Sequence, residues 1–131
     1  MIENKIFNIN CAEAKKIKKA NSEFYFIAEI NGKKIADLKD YLSIITQSFR
    51  FPTSVGGLNG YIDWMTDLDW LNANGYILII QSYNQFMQLD IENKSIVIRL
   101  FKENILPWWE EEVEKCVVNG KAKPFNVYLV D

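Results

Sequence analysis

The chain has 131 residues, with 15 Lys and Arg, 17 Asp and Glu, no histidine and a net charge of −2. That length fits one domain, and 49% apolar with 14% aromatic residues fit a packed core rather than a disordered chain. The missing imidazole excludes Ser–His–Asp and Cys–His catalysis and His-ligated zinc, and the charge argues against a broad basic surface for nucleic acid.

The opening, MIENKIFNIN, lacks the charged lead and apolar block of a secretory signal. Lys5–Ile9 reads as a short strand or an extended arm. Ala12–Ala20 reads as a short helix whose Lys15, Lys16, Lys18 and Lys19 form a solvated face. Phe24–Ile30 is aromatic and β-branched, hence a strand, and Asn31-Gly32 is a turn signal. Leu38, Tyr41, Leu42, Ile45 and Phe49 make a helical stripe over Ala36–Ser48, with Asp37 placed to start it. Pro52 and Gly56-Gly57 mark a loop. A second helix is predicted from about Leu58 to Leu71, closed by Asn74-Gly75. Tyr76–Ile80 is an apolar run suited to a strand buried on both faces. Asn93 begins a third helix containing Ile96, Val97, Leu100 and Phe101. Pro107 is predicted to interrupt it, and a fourth helix to start there with Glu110, Glu111 and Glu112 in its first turns. Pro124 precedes the last strand, Phe125–Val130. Strands joined through helices predict a parallel sheet with helices packed on it. No apolar run reaches the ~18 residues of a membrane span. Cys11 and Cys116 form no CxxC and read as buried or incidental thiols of a cytoplasmic protein.

The small net charge hides a segregation. Residues 1–50 hold nine basic and six acidic residues, and residues 94–131 hold six of each. Residues 51–93 hold no Lys or Arg, only Asp63, Asp67, Asp69, Asp90 and Glu92. On a wheel of ~100° per residue, one face of the predicted second helix collects Asn59, Asp63, Thr66, Asp67 and Trp70. A solvated face ordinarily mixes Lys with Asp, and Trp is a favoured binding anchor. The pattern points to an acidic surface for a cationic cleft, where a carboxylate replaces a phosphate through charge-assisted hydrogen bonds. VGGLNG (Val55–Gly60) matches neither GxGxxG nor a P-loop. Glu110, Glu111, Glu112 and Glu114 follow one another on a helix and do not converge as metal ligands need to. Trp108-Trp109 read as core or hinge packing. No nucleophile site, cofactor motif or metal motif accompanies Asp63 and Asp67, so an enzyme is not expected.

IAEINGKKI (Ile27–Ile35), ADLKDYL, FPTSVGGLNGYIDWMTDLDWL (Phe51–Leu71), RLFKE (Arg99–Glu103) and PFNVYLVD (Pro124–Asp131) occur in an order that resembles the barstar family of ribonuclease inhibitors. DWMTDL resembles that family's Asp-Cys-Leu-x-Asp-Leu signature. The resemblance implies an α/β fold, a three-stranded parallel sheet with packed helices over residues 24–131, preceded by an N-terminal extension, residues 1–23. It implies a non-catalytic inhibitor or immunity protein, bacterial and cytoplasmic, that binds a ribonuclease toxin one-to-one and blocks its active site. No cofactor, nucleic acid or membrane is implied. By position, Asp63 corresponds to the central inhibitory aspartate, Thr66 and Asp67 to contacts on the same helix, and Glu103 to an acidic contact on the third helix. Ser54, Gly56, Leu58 and Asn59 correspond to the binding loop. Ser54 stands where barstar has a tyrosine, Asn59 where it has an aspartate, and Ile62 where it has a tryptophan. The aromatic anchor would then have moved, with Trp70 its candidate, and the partner would differ from barnase. The stretch Ser82–Lys94 and the insertion PWWEEEVEK exceed the compact barstar pattern. The alternative is a barstar-like interaction module with a non-nuclease partner.

Overall fold

Four strands and the helices between them alternate along the chain: β1 (Ile6–Ile9), α1 (Cys11–Asn21), β2 (Phe26–Asn31), α2 (Leu38–Ser48), α3 (Leu58–Met65), β3 (Tyr76–Gln81), α4 (Ile91–Leu100), α5 (Val113–Cys116) and β4 (Phe125–Val130). The computed structural model describes residues 2–131. All strand pairs are parallel, in the order β1-β4-β3-β2. The sheet therefore has four strands, not the three expected. The N-terminal segment supplies the fourth, pairing Ile6 with Val127 and Ile9 with Val130.

Period-two alternation divides the sheet into two cores. Ala28, Ile30, Tyr76, Leu78, Ile80, Phe125, Val127 and Leu129 point into the larger one, with Tyr41, Ile45, Phe49, Tyr61, Met65, Val97 and Phe101 from the helices. Ile77, Ile79 and Val130 point the other way and pack with Ala14 and Ile17 of α1. Strand β3 is thus buried on both faces, as its unbroken apolar run predicts. Because β1 and β2 lie at opposite edges, α1 crosses the second face between them. The four-lysine run on α1 is not wholly solvated, since Lys18 reaches Glu29 on β2 at 3.1 Å.

Several boundaries differ from the sequence-based expectation. The strand expected from Phe24 begins at Phe26, and Phe24 is exposed. The third helix begins at Ile91 rather than Asn93. Pro107 does not separate two helices. From α4 the chain continues through a π-turn (Phe101–Ile105), Leu106 and Pro107 in helical conformation, a second π-turn (Trp108–Glu112) and α5. The wider turn before Pro107 relieves the clash that a proline ring makes with the preceding turn of an α-helix. Cys11 and Cys116 are both exposed free thiols, not buried ones, because each sits on the solvent side of a helix end.

Candidate partner-binding site

The second helix is shorter than its wheel assumed. It ends at Met65, not Leu71, and the chain then passes through Leu68 in left-handed conformation (φ 55°) into a single 3-10 turn, Asp69–Leu71. Two competing hydrogen bonds end it. The Met65 carbonyl, which would accept from Asp69 N–H in a longer helix, accepts from Trp109 Nε1 at 2.9 Å. The Asp69 N–H turns instead to Asp67 Oδ1 at 3.2 Å. The left-handed turn at Leu68 buries that side chain completely.

The rest of α3 is fixed from beneath. Tyr61 is fully buried and its hydroxyl lies 2.6 Å from that of Tyr41 on α2. Burial holds both phenols well above their ordinary ionisation range, so the bond joins two neutral hydroxyls. Thr66 Oγ1 donates to the Ile62 carbonyl at 2.7 Å. A helix tied at its middle and its end presents its outer side chains in one orientation.

On that outer side stand Asn59 and Asp63, both exposed. The Asp63 carboxylate makes no ion pair and no hydrogen bond among the described residues. Asp67 is exposed too, but lies past the helix end, with one oxygen engaged by Asp69 N–H. The wheel's extension of the face beyond Met65 is therefore corrected: Asp63 and Asp67 are neighbours across a helix terminus, not one turn apart on a helix. Thr66 is half-buried at the same terminus. Leu58 and Ile62 are partly buried and pack on the core, offering edges rather than whole side chains.

Trp70 is not the exposed helical anchor that the wheel drew. Its indole Nε1 donates to the Phe49 carbonyl at the end of α2 at 2.9 Å, and its ring packs edge-on against Trp64 and Phe51. The left-handed Leu68 rotates it off the acidic face. Trp109 is likewise core, as expected of the tryptophan pair, and is 4% exposed.

Ser54 and Gly56 are exposed in the loop before α3 and line a hollow of 660 Å³ with Leu38, Leu42, Thr46 and Val55. A methyl group added at Gly56 would meet nothing within 4 Å, and the residue has no positive φ. The chain's own packing thus does not require glycine there. Glu103 falls in the first π-turn and lines a separate groove with Lys94, Arg99 and Lys102, none of whose walls comes from α3. The structure groups Ser54 and Gly56 on the loop and Asn59, Asp63, Thr66 and Asp67 along α3 and its end. It does not place Glu103 in a groove with them.

The wheel's acidic face did not include Asp69, and the sequence assigned no binding role to residues 113–123. Thr66, Asp67 and Asp69 form one wall of a 700 Å³ groove whose other wall is Val113, Val117, Val118 and Lys121, with Trp109 and Lys123 between them. Burial first, and then the Asp69 and Asp67 carboxylates, raise the Tyr76 phenol above its ordinary range. The base-free charge pattern held the signal for Asp69; the opposite wall left none.

Among the described residues no helix is long and apolar enough to cross a membrane. No curated protein and no solved structure matches the chain. The family model Barstar (barnase inhibitor) matches residues 25–127. That span covers β2, β3, the first half of β4 and every helix of the larger core, including all of α3. The chain belongs to the Barstar (barnase inhibitor) family.

Proposed function

We propose that the chain is an inhibitor, an immunity protein, that binds a ribonuclease toxin one-to-one in the bacterial cytoplasm and blocks its active site with the surface of α3 and the loop before it. Family membership supports a barnase-inhibitor-like role. The observation that carries the reading is Asp63: an exposed carboxylate on a fixed helix, with no internal cation, inside a stretch (residues 51–93) without one basic residue. An uncompensated carboxylate of this kind is complementary to the Arg and Lys groups that hold RNA phosphates in a nuclease cleft. Asn59, Thr66, Asp67, Ser54, Gly56, Leu58 and Ile62 border it; Trp70 and Glu103 lie outside this patch.

The chain itself carries out no reaction in this reading. Its work is done by shape and fixed charge, for which histidine is not needed. The test is affinity capture from the source cell, followed by an RNA-cleavage assay of the captured protein. The expected partner cleaves RNA and is silenced by an equimolar amount of the chain. A stable partner with no RNA-cleaving activity overturns the proposal.

A further inference from the structure

The stretch Ser82–Lys94, which exceeds the barstar pattern, builds a groove against α4. Its backbone is held at several points. The Met87 N–H donates to the Ile35 carbonyl at 2.8 Å, the Leu89 N–H to the Ala36 carbonyl at 3.2 Å, and the Asn84 N–H to Asp131 Oδ1 at 2.9 Å. Ser82 and Met87 take left-handed conformations, with φ of 51° and 54°. Tyr83 lies beside α4, where Lys94 Nζ donates to its carbonyl at 3.3 Å and sits 4.4 Å from the centre of its ring.

The groove measures 590 Å³ and runs along the outer side of α4. Ile91, Lys94, Ile98 and Lys102 follow at spacings of three and four, which puts them on one side of a helix. The lining holds three cations, Lys94, Arg99 and Lys102, against one anion, Glu103. None of the four forms an ion pair among the described residues. Glu92 and Asp131 stand outside the lining, and Asp131 is engaged by the Asn84 N–H. In a chain of net charge −2 the groove is therefore a cationic island. Two large apolar side chains meet solvent at its end, Ile91 at 59% exposure and Leu89 at 84%. Apolar side chains left open beside unpaired cations mark an interaction surface.

We propose that this groove is a second docking surface, which takes an acidic, amphipathic segment of another protein. Carboxylates of that segment meet Lys94, Arg99 and Lys102, and its apolar side chains cover Ile91, Ile98 and Leu89. Charge complementarity chooses an anionic occupant. The isoleucines choose one that carries apolar side chains among its carboxylates. A single-stranded nucleic acid has the charge but also needs open aromatic faces on which its bases stack. Tyr83 is the one ring in the lining, and the Lys94 ammonium already lies over it. The groove shares no residue with the α3 surface, so the proposal does not depend on the ribonuclease reading.

The probe is a short fluorescent peptide of mixed Glu and Leu, titrated against the full chain by anisotropy. A Glu–Ser peptide and an oligouridylate of equal length are the controls. The variant is Arg99→Glu/Lys102→Glu, since both side chains are exposed and make no internal bond among the described residues. The Glu–Leu peptide is expected to bind wild type at least fivefold more tightly than either control and the variant at least fivefold more weakly than wild type. It should also protect the amides of residues 91–102 from hydrogen exchange. No binding, a smaller difference in either comparison, or no protection overturns the proposal. Tighter binding of the oligouridylate makes the groove a nucleic-acid site and overturns it as well. The exchange measurement and the two controls use the wild-type chain, so they decide the matter even if the variant does not fold.

Discussion

The indole of Trp109 hydrogen-bonds the carbonyl of Met65 at 2.9 Å, so a residue of the insertion after Pro107 ends the helix that carries Asp63. The bond spans 44 residues of sequence and is buried. It couples the extra helical segment to the acidic surface without touching it. Trp70 does the same for α2 through the Phe49 carbonyl. Two of the four tryptophans thus act as helix stops.

Trp109→Phe tests that coupling. The six-membered ring is kept, but the fused pyrrole ring and its N–H are lost, so the Met65 carbonyl loses its donor and a small cavity adds to the cost. A buried group left unsatisfied costs about 1–3 kcal/mol. Urea unfolding should show a loss of that size or larger, and amide exchange should quicken at Thr66–Asp69 before it does elsewhere.

Asp63→Ala removes the carboxylate proposed to fill the cleft. Truncation of an interface hot spot costs ~2 kcal/mol or more. Titration against the captured ribonuclease should show that loss, while the unfolding midpoint stays at the wild-type value, since Asp63 makes no internal bond. Raising salt should slow association of the wild type more than it speeds dissociation; stopped-flow mixing reads both rates.

Gly56→Ala separates folding from binding at the loop. With open space around the added methyl and no positive φ, thermal stability should not fall. A partner backbone that approaches Gly56 closely would still meet the methyl, so affinity is expected to drop severalfold in the same titration.

The Tyr41–Tyr61 pair calls for a double-mutant cycle. Either single change to Phe strands one buried hydroxyl, at about 1–3 kcal/mol. Changing both removes the stranded group, so the double variant should be clearly more stable than the sum of the singles predicts. Denaturant unfolding of the four proteins gives the coupling directly.

Asp90 links α2 to α4. Its Oδ2 accepts from Leu38 N–H at 3.0 Å, and Asn93 donates to both its oxygens. These bonds, that of the Asn93 side chain first, hold the carboxyl below its ordinary range. A carboxyl depressed in the folded state adds stability above its unfolded value, roughly pH 4, and that share fades as pH falls further. Asp90→Asn should therefore flatten the acid limb of the stability–pH curve, and thermal melts from pH 6 down to pH 2 would reveal the difference.

Much of the fold was legible before any coordinates. The unbroken run of β3, the stripe on α2 and the turn signals at Asn31-Gly32 and Asn74-Gly75 carry local information, and local physics made those elements. The ordered motifs from Ile27 to Asp131 also carried the family resemblance that the domain match over residues 25–127 bears out. The absence of Lys and Arg between residues 51 and 93 put Asp63 forward, because charge is written directly in composition.

What went astray depended on partners far along the chain. A helical wheel continues until something stops it, and what stopped α3 at Met65 was an indole 44 residues away. Once Leu68 turned inward, Trp70 left the acidic face and Asp67 turned one oxygen to the Asp69 N–H. The short first strand gave no sign of which edge it would join, since pairing with β4 is decided by a free edge formed only at the chain's far end. The second wall of the groove is invisible in sequence for the same reason: Val117 and Val118 lie some fifty residues from Asp67. Sequence alone determined the elements, the family and the uncompensated charge, because these are local or compositional. Only the tertiary structure decided where α3 ends, which aromatics turn inward and what stands opposite the acids, because each of those is a contact between distant segments.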